Sequence, residues 1–209
     1  MLSMTSFNKD YYKEREMGDI CDFPYSTGSL TGELYRKALK YIELASNDSV
    51  LDLGCGLGQG SWILSNKTNG KIMGIDISGE AINFAKKHYE GGSLKFEKKD
   101  IFECNKNSDK FNVIFAINLL EHLKLSKIKT LIHDILPNIL KEGGVICFHL
   151  PFGGTLGSKM LYWRKALRAR SKVKGIDWTN DPTHEVLLTP FKLKLIVKNS
   201  SLKYLRSYF

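Results

Sequence analysis

Apolar residues come in short blocks, and the blocks alternate between two periods. Leu34, Ala38, Leu39, Ile42 and Ala45 recur at helical spacing, so the pattern predicts a helix over 34–44. Asn47 and Asp48 end it and lead into Val50-Leu51-Asp52-Leu53, a short run that reads as a buried parallel strand. A second helix begins at Trp62. The strand Lys71–Asp76 follows, and then a helix over 79–88 that is N-capped by Ser78, with Ile82 and Ala85 facing the sheet. Leu94–Phe96 reads as a third strand and Phe111–Ile117 as a fourth, the latter without the polar alternation of a half-exposed strand. Residues 126–140 read as a helix despite Pro137, the alternative being that the proline kinks or ends it; 141–144 reads as a turn and Val145–Leu150 as a fifth strand. A last helix starts at Pro190 behind the N-cap Thr189, with Phe191, Leu193, Leu195, Ile196 and Val197 as its apolar face. Ser201–Phe209 closes the chain as a sixth strand. Strands alternating with helices predict an α/β fold: one doubly wound, mostly parallel sheet in a single domain over 1–209.

The chemistry gathers first in the loop after strand one, which holds Gly54, Gly56, Gly58 and Gly60. Strand, glycine loop and helix open a nucleotide-binding unit, because side chains there would keep a ligand from the backbone and tight turns use positive φ. The amides at the start of the following helix point at the same place. Asp52 is an acid inside an apolar strand, costly unless hydrogen-bonded. Asp76 ends strand two, where a carboxylate accepts hydrogen bonds from both hydroxyls of a ribose.

The stretch Asp52-Leu53-Gly54-Cys55-Gly56-Leu57-Gly58 resembles the first motif, D-x-G-C-G-x-G, of the class I S-adenosylmethionine-dependent methyltransferases. That resemblance implies a Rossmann-like fold with S-adenosyl-L-methionine as cofactor. It puts Asp52, Gly54, Cys55, Gly56 and Gly58 in the motif, Asp76 and Ile77 at the ribose, and Asp100 and Ile101 at the adenine. The backbone around Asn118 and Leu119 would meet the methionine end. For Asp100 the other reading is a cap or loop acid. Leu120-Glu121-His122 resembles the family's L-E-H segment after strand four, where His122 reads either as a hydrogen-bonded packing residue or as catalytic. Lys141–Gly144 matches a K-x-G-G turn. His149, near the carboxyl end of strand five, reads as a substrate contact or as a core histidine. Asp181-Pro182-Thr183-His184 before Thr189-Pro190 resembles a branch that methylates small molecules and saccharide precursors. There His184 is the first choice of general base, with His149 and His122 behind it, or else it pins its loop. Family members carry a seventh strand, and no residues remain for one here. The chain is naturally short, or its end is missing, or a second copy or partner subunit completes the sheet.

Composition narrows the partners. Of 209 residues, 43% are hydrophobic and 25% charged, ordinary for a globular domain. The net charge of +9 favours an anionic acceptor or surface. Much of it lies in a segment over 152–181, which carries no shared family landmark. There Lys159, Arg164, Lys165, Arg168, Arg170, Lys172 and Lys174 accompany Leu156, Met160, Trp163 and Leu167 at helical spacing. This basic insertion over the site reads as a solvated cap, a cap for an anionic substrate, or a nucleic-acid contact. Residues 1–29 form a cap segment, either a lid over the cofactor with Tyr12, Arg15 and Tyr25, or cover for one edge of the sheet. Four cysteines without a C-x-x-C pair fit a reducing, cytoplasmic setting and point to no metal. No apolar run is long enough to span a membrane, and no signal peptide is expected. The end of strand four lacks the N-P-P-Y type of tetrad and there is no P-C dipeptide, which disfavours nucleic-acid bases as acceptors. The expectation is methyl transfer to oxygen or nitrogen of a small molecule or saccharide. The rivals are tRNA methylation, a non-catalytic partner subunit of the same fold, and an NAD(P)-dependent oxidoreductase.

Overall fold

The structure is a computed structural model that describes residues 30–104, 107–150, 185–186 and 188–205. The N-terminal cap with Tyr12, Arg15 and Tyr25, the basic insertion and His184 lie outside the described residues.

Five strands, β1 (Val50–Leu53), β2 (Ile72–Asp76), β3 (Leu94–Lys98), β4 (Phe111–Ile117) and β5 (Leu140–His149), form one sheet in the order β3-β2-β1-β4-β5. Every pairing is parallel. The order reverses between β1 and β4, so the crevice at their carboxyl ends is where a ligand of such a sheet sits.

Side chains alternate between the two faces. Val50, Ile72, Val113 and Phe115 pack on one side with Tyr35 of α1 (Leu30–Ala38), Ile63 and Leu64 of α2 (Gln59–Ser65), and Ile82 and Ala85 of α3 (Gly79–Tyr89). Leu51, Leu53, Ile114 and Ala116 pack on the other side against α4 (Leu125–Thr130), a π-helical turn (Leu131–Ile135), α5 (Leu136–Ile139) and α6 (Pro190–Lys198). The result is a three-layer domain with the sheet covered on both faces.

Several expected boundaries move. The helix expected at 34–44 runs from Leu30 to Ala38 and then loosens into turns. The second helix starts at Gln59, directly behind Gly58, rather than at Trp62. The helical run passes through Pro137 and ends at Ile139, as the first of the two readings has it. The π turn before the proline carries the Leu136 amide to the Leu131 carbonyl, a five-residue step that shifts the bonding register before the residue with no donor. The turn expected at 141–144 is absorbed into β5. Phe111 pairs with Leu140 and Val113 with Val145, so three extra residues bulge out around Gly143, whose φ is 73°. In α6 the Thr189 hydroxyl caps the Lys192 amide at 3.2 Å as expected. Phe191 and Leu195 are exposed, however, and only Leu193, Ile196 and Val197 of the expected face reach the core. Residues 201–205 form bends and irregular chain rather than the start of a sixth strand; Leu202 and Tyr204 pack against the core from there. Among the described residues no helix is long and apolar enough to cross a membrane.

Candidate active site

The glycine loop is tied to the end of β2. The Gly54 and Cys55 amides both donate to the Ile75 carbonyl, at 2.9 and 3.1 Å, and the Gly58 amide to Cys55 at 3.0 Å. The Gly56 amide donates to Asp76 Oδ2 at 3.0 Å. Gly54 (φ 66°) and Gly56 (φ 53°) sit in the left-handed region that this folding-back requires. Four amides of the loop are therefore spent internally. Gly60 serves a different need. A Cβ there would lie 2.2 Å from the Tyr35 ring, so the residue clears a path for a side chain and not for a ligand.

Tyr35 passes over Gly60 to reach Asp52. Its hydroxyl donates to Asp52 Oδ1 at 2.6 Å, and the Ser61 hydroxyl donates to Oδ2 at 2.6 Å. Asp52 is wholly buried. Burial pushes its carboxyl up to about 6, against the pull of the two hydroxyls. Asp52, which the resemblance counts with the cofactor-binding residues, has no exposure and both oxygens taken, and it fastens α1 and α2 to β1. Neither Tyr35 nor Ser61 was singled out in the sequence, since a lone hydroxyl in a helix carries no motif. Cys55 likewise keeps a neutral thiol, raised first by burial and then by the charges of Asp52 and Asp76.

Asp76 differs from Asp52 in its partners. It stands half-buried at the carboxyl end of β2 and takes amides, from Ser78 at 2.8 Å on Oδ1 and from Gly56 on Oδ2. A carboxylate offers about four lone-pair sites, so the amides leave part of it for outside donors. Burial raises its pKa, and the amides of Ser78, Gly56 and Ile77 oppose this. Ile77 is half-buried beside it. Asp100 accepts the Phe102 amide on Oδ1 at 2.9 Å and so caps the short 3-10 turn Ile101–Glu103. Its other oxygen takes no hydrogen bond among the described residues, so the cap and ligand readings are compatible. Ile101 is buried behind it.

Beyond β4 the chain turns through Asn118, whose φ of 53° makes it the only positive-φ residue other than glycine among those described. Leu119 lies over the glycine loop, since a Cβ on Gly54 would meet its Cδ1 at 2.9 Å. The Asn118 amide oxygen stands 2.7 Å from His149 Nδ1. Burial, and then the charge of Lys37, hold the His149 imidazole down to about 4. His122 is half-buried in the 3-10 turn Leu120–His122, its amide bonded to the Leu119 carbonyl at 3.1 Å. Next to it Glu121 is buried, its Oε2 without a partner among the described residues, and burial raises its carboxyl to about 7. The Glu121 carbonyl accepts the amides of Glu185 and Val186 at 2.8 and 3.3 Å. The chain just after position 184 is thereby tied to this same turn.

A parallel sheet, a glycine loop folded onto the acid ending β2, and a second acid after β3 define a methyltransferase-type cofactor site. A family model described as a methyltransferase domain matches residues 44–183, and the chain belongs to that family, the class I S-adenosylmethionine-dependent methyltransferases. Phosphoethanolamine N-methyltransferase of Plasmodium falciparum (isolate 3D7) is 35% identical over 101 residues, 48% of this chain and 37% of that protein. Ubiquinone biosynthesis O-methyltransferase of Coxiella burnetii (strain Dugway 5J108-111) is 37% identical over 90 residues, 41% of this chain and 38% of the relative. The matched stretch thus spans less than two fifths of either relative. Magnesium protoporphyrin IX methyltransferase of Synechocystis PCC 6803, solved with bound SAH, shares the fold. Its TM-score is 0.55, with 15% identity over 78% of this chain and 69% of that one.

The residues present fit the family's cofactor. The part of the Asp76 carboxylate that the amides leave free suits the hydroxyls of a ribose, and the unbonded oxygen of Asp100 suits an amino group. When bound, S-adenosylmethionine supplies a sulfonium methyl that is already electrophilic, so alignment and proton removal fall to the protein.

Proposed function

We propose that the chain holds S-adenosylmethionine across the carboxyl ends of β1 to β4 and transfers its methyl group to oxygen or nitrogen of a small molecule or saccharide precursor. The observation that carries this reading is the internal spending of the loop amides. A loop that binds a pyrophosphate needs free amides to meet the anion. Here the amides of Gly54, Cys55, Gly56 and Gly58 already have acceptors within the protein. That favours a ligand without phosphates over a dinucleotide, and it weighs against the oxidoreductase reading. Asp76 would hold the ribose, with Ile77 beside it. Asp100 and Ile101 would hold the adenine, and the backbone of Asn118 and Leu119 the methionine end. The names of the two curated relatives support small acceptors and leave both N- and O-methylation open. His149 and His122 both lie in or beside the segments at this edge. His184 remains a base by resemblance alone.

Calorimetric titration with S-adenosylhomocysteine, beside an Asp76→Ala variant, tests the proposal. Charge-assisted hydrogen bonds contribute about 1.5–3 kcal/mol each, so the variant should bind at least about 10-fold more weakly. A folded wild type that binds none would overturn the reading.

A further inference from the structure

His149 ends β5 and pairs in register with Ile117, the last residue of β4. The next residue, Asn118, leaves the sheet in the left-handed region at φ 53°. Asparagine tolerates that conformation better than other side-chain-bearing residues, and a departure of this kind is a pointer to function when something over-determines it. Its amide oxygen lies 2.7 Å from His149 Nδ1. A carbonyl oxygen only accepts, so Nδ1 carries the proton. A neutral imidazole has one N–H, so Nε2 carries a lone pair. Nε2 takes no hydrogen bond among the described residues.

We propose that Asn118 is a positioning residue that locks His149 in the Nδ1–H tautomer and so presents Nε2 as a proton acceptor at the carboxyl edge of the sheet. This rests on the methyl-transfer reading for its purpose. The surroundings keep the ring neutral. Ile117 and Ala116 of β4 are apolar and buried, and Lys37 of α1 brings the charge that acts on the ring, in the same direction as burial. A neutral ring of this kind suits a hydroxyl acceptor. As the hydroxyl oxygen would take the methyl group, the methyl's bond to sulfur would break with its pair left on a neutral thioether, and the oxygen would become strongly acidic. Its O–H bond then breaks, the bonding pair stays on oxygen, and the proton passes to Nε2 to give an imidazolium that later releases it to water. An alkylammonium holds its proton too firmly to give it to so weak a base.

The test is long-range proton–nitrogen NMR of the imidazoles in the full chain, with His149 assigned through His149→Gln. The wild type should show His149 as one tautomer, protonated at Nδ1, with no titration at or above about pH 5.5. Asn118→Gly tolerates the same φ but removes the acceptor, and should release the ring to the Nε2–H form or a mixture. Asn118→Asp keeps an acceptor and adds a charge. It should retain Nδ1–H and move the titration upward. Thermal unfolding of each variant checks that the fold is kept. A wild-type His149 protonated at Nε2, or a tautomer unchanged in Asn118→Gly, overturns the proposal. The S-adenosylhomocysteine titration is independent of it: a wild type with the lock intact that binds no ligand refutes methyl transfer and leaves the lock standing.

Discussion

Replacing Tyr35 by phenylalanine removes one oxygen from the interior and leaves the ring in place. The ring is 2% exposed, packs at 6.0 Å from Phe115, and lies over Gly60. What is lost is the 2.6 Å hydrogen bond to Asp52. Its worth depends on the charge of the acceptor: about 1.5–3 kcal/mol to a carboxylate and about 0.5–1.5 kcal/mol to a neutral partner. Asp52 has its carboxyl raised from 3.8 to about 6. The stability linked to this group is therefore fully present below 3.8 and is lost as pH rises through about 6, a change of up to about 3 kcal/mol. At about pH 8 Asp52 is ionised and the variant should lose about 2 kcal/mol, or about 4–8 °C in Tm for a chain of this size. At about pH 5 it is mostly protonated and the loss should fall to about 1 kcal/mol. Paired thermal and denaturant unfolding at the two pH values measures both. An equal loss at the two, or none at either, would refute the account of Asp52 as a buried group titrating near 6.

Two further substitutions probe the same reasoning. Gly60→Ala puts a methyl group 2.2 Å from the Tyr35 ring and should cost about 1–3 kcal/mol in denaturant unfolding; an unchanged midpoint would mean that Tyr35 is free to move. Glu121→Gln removes a carboxyl raised from 4.5 to about 7 whose Oε2 has no partner among the described residues. The wild type loses this group's contribution as pH rises through about 7. The variant should therefore gain on it by about 1–3 kcal/mol at about pH 8 and not at about pH 5, and a Tm difference that does not change with pH would refute this.

The strands and their order of appearance were legible because a sheet covered on both faces favours apolar runs, and Val113–Ile117 is such a run without a break. Ser78 and Thr189 were legible as caps because capping is local. The misreadings share a cause. Lys141–Gly144 looked like a turn, yet the same glycines allow a bulge inside β5. Phe191 and Leu195 looked like core, yet α6 buries only the stripe turned toward the sheet. In each case the outcome is decided by what packs alongside, which local sequence does not contain.

The two aspartates carry that argument into the site. Asp52 and Asp76 are the same residue type on adjacent strands, the first within the glycine-loop motif and the second read as the ribose ligand. Their positions along the strand separate them. Asp52 pairs in register with Gly74, inside the sheet, where its side chain meets α1 and α2 and its donors among the described residues are hydroxyls from those helices. Asp76 ends β2, where the glycine loop folds back and supplies amides that leave part of the carboxylate free. Exchanging an acid for its amide should therefore have opposite consequences at the two places. Asp52→Asn should alter unfolding and its pH dependence while sparing ligand affinity, because no ligand reaches a group with zero exposure. Asp76→Asn should weaken S-adenosylhomocysteine binding while leaving the sheet intact. Loss of binding in a stably folded Asp52→Asn would show that the interior anchor also shapes the loop, and would break the division of labour drawn here.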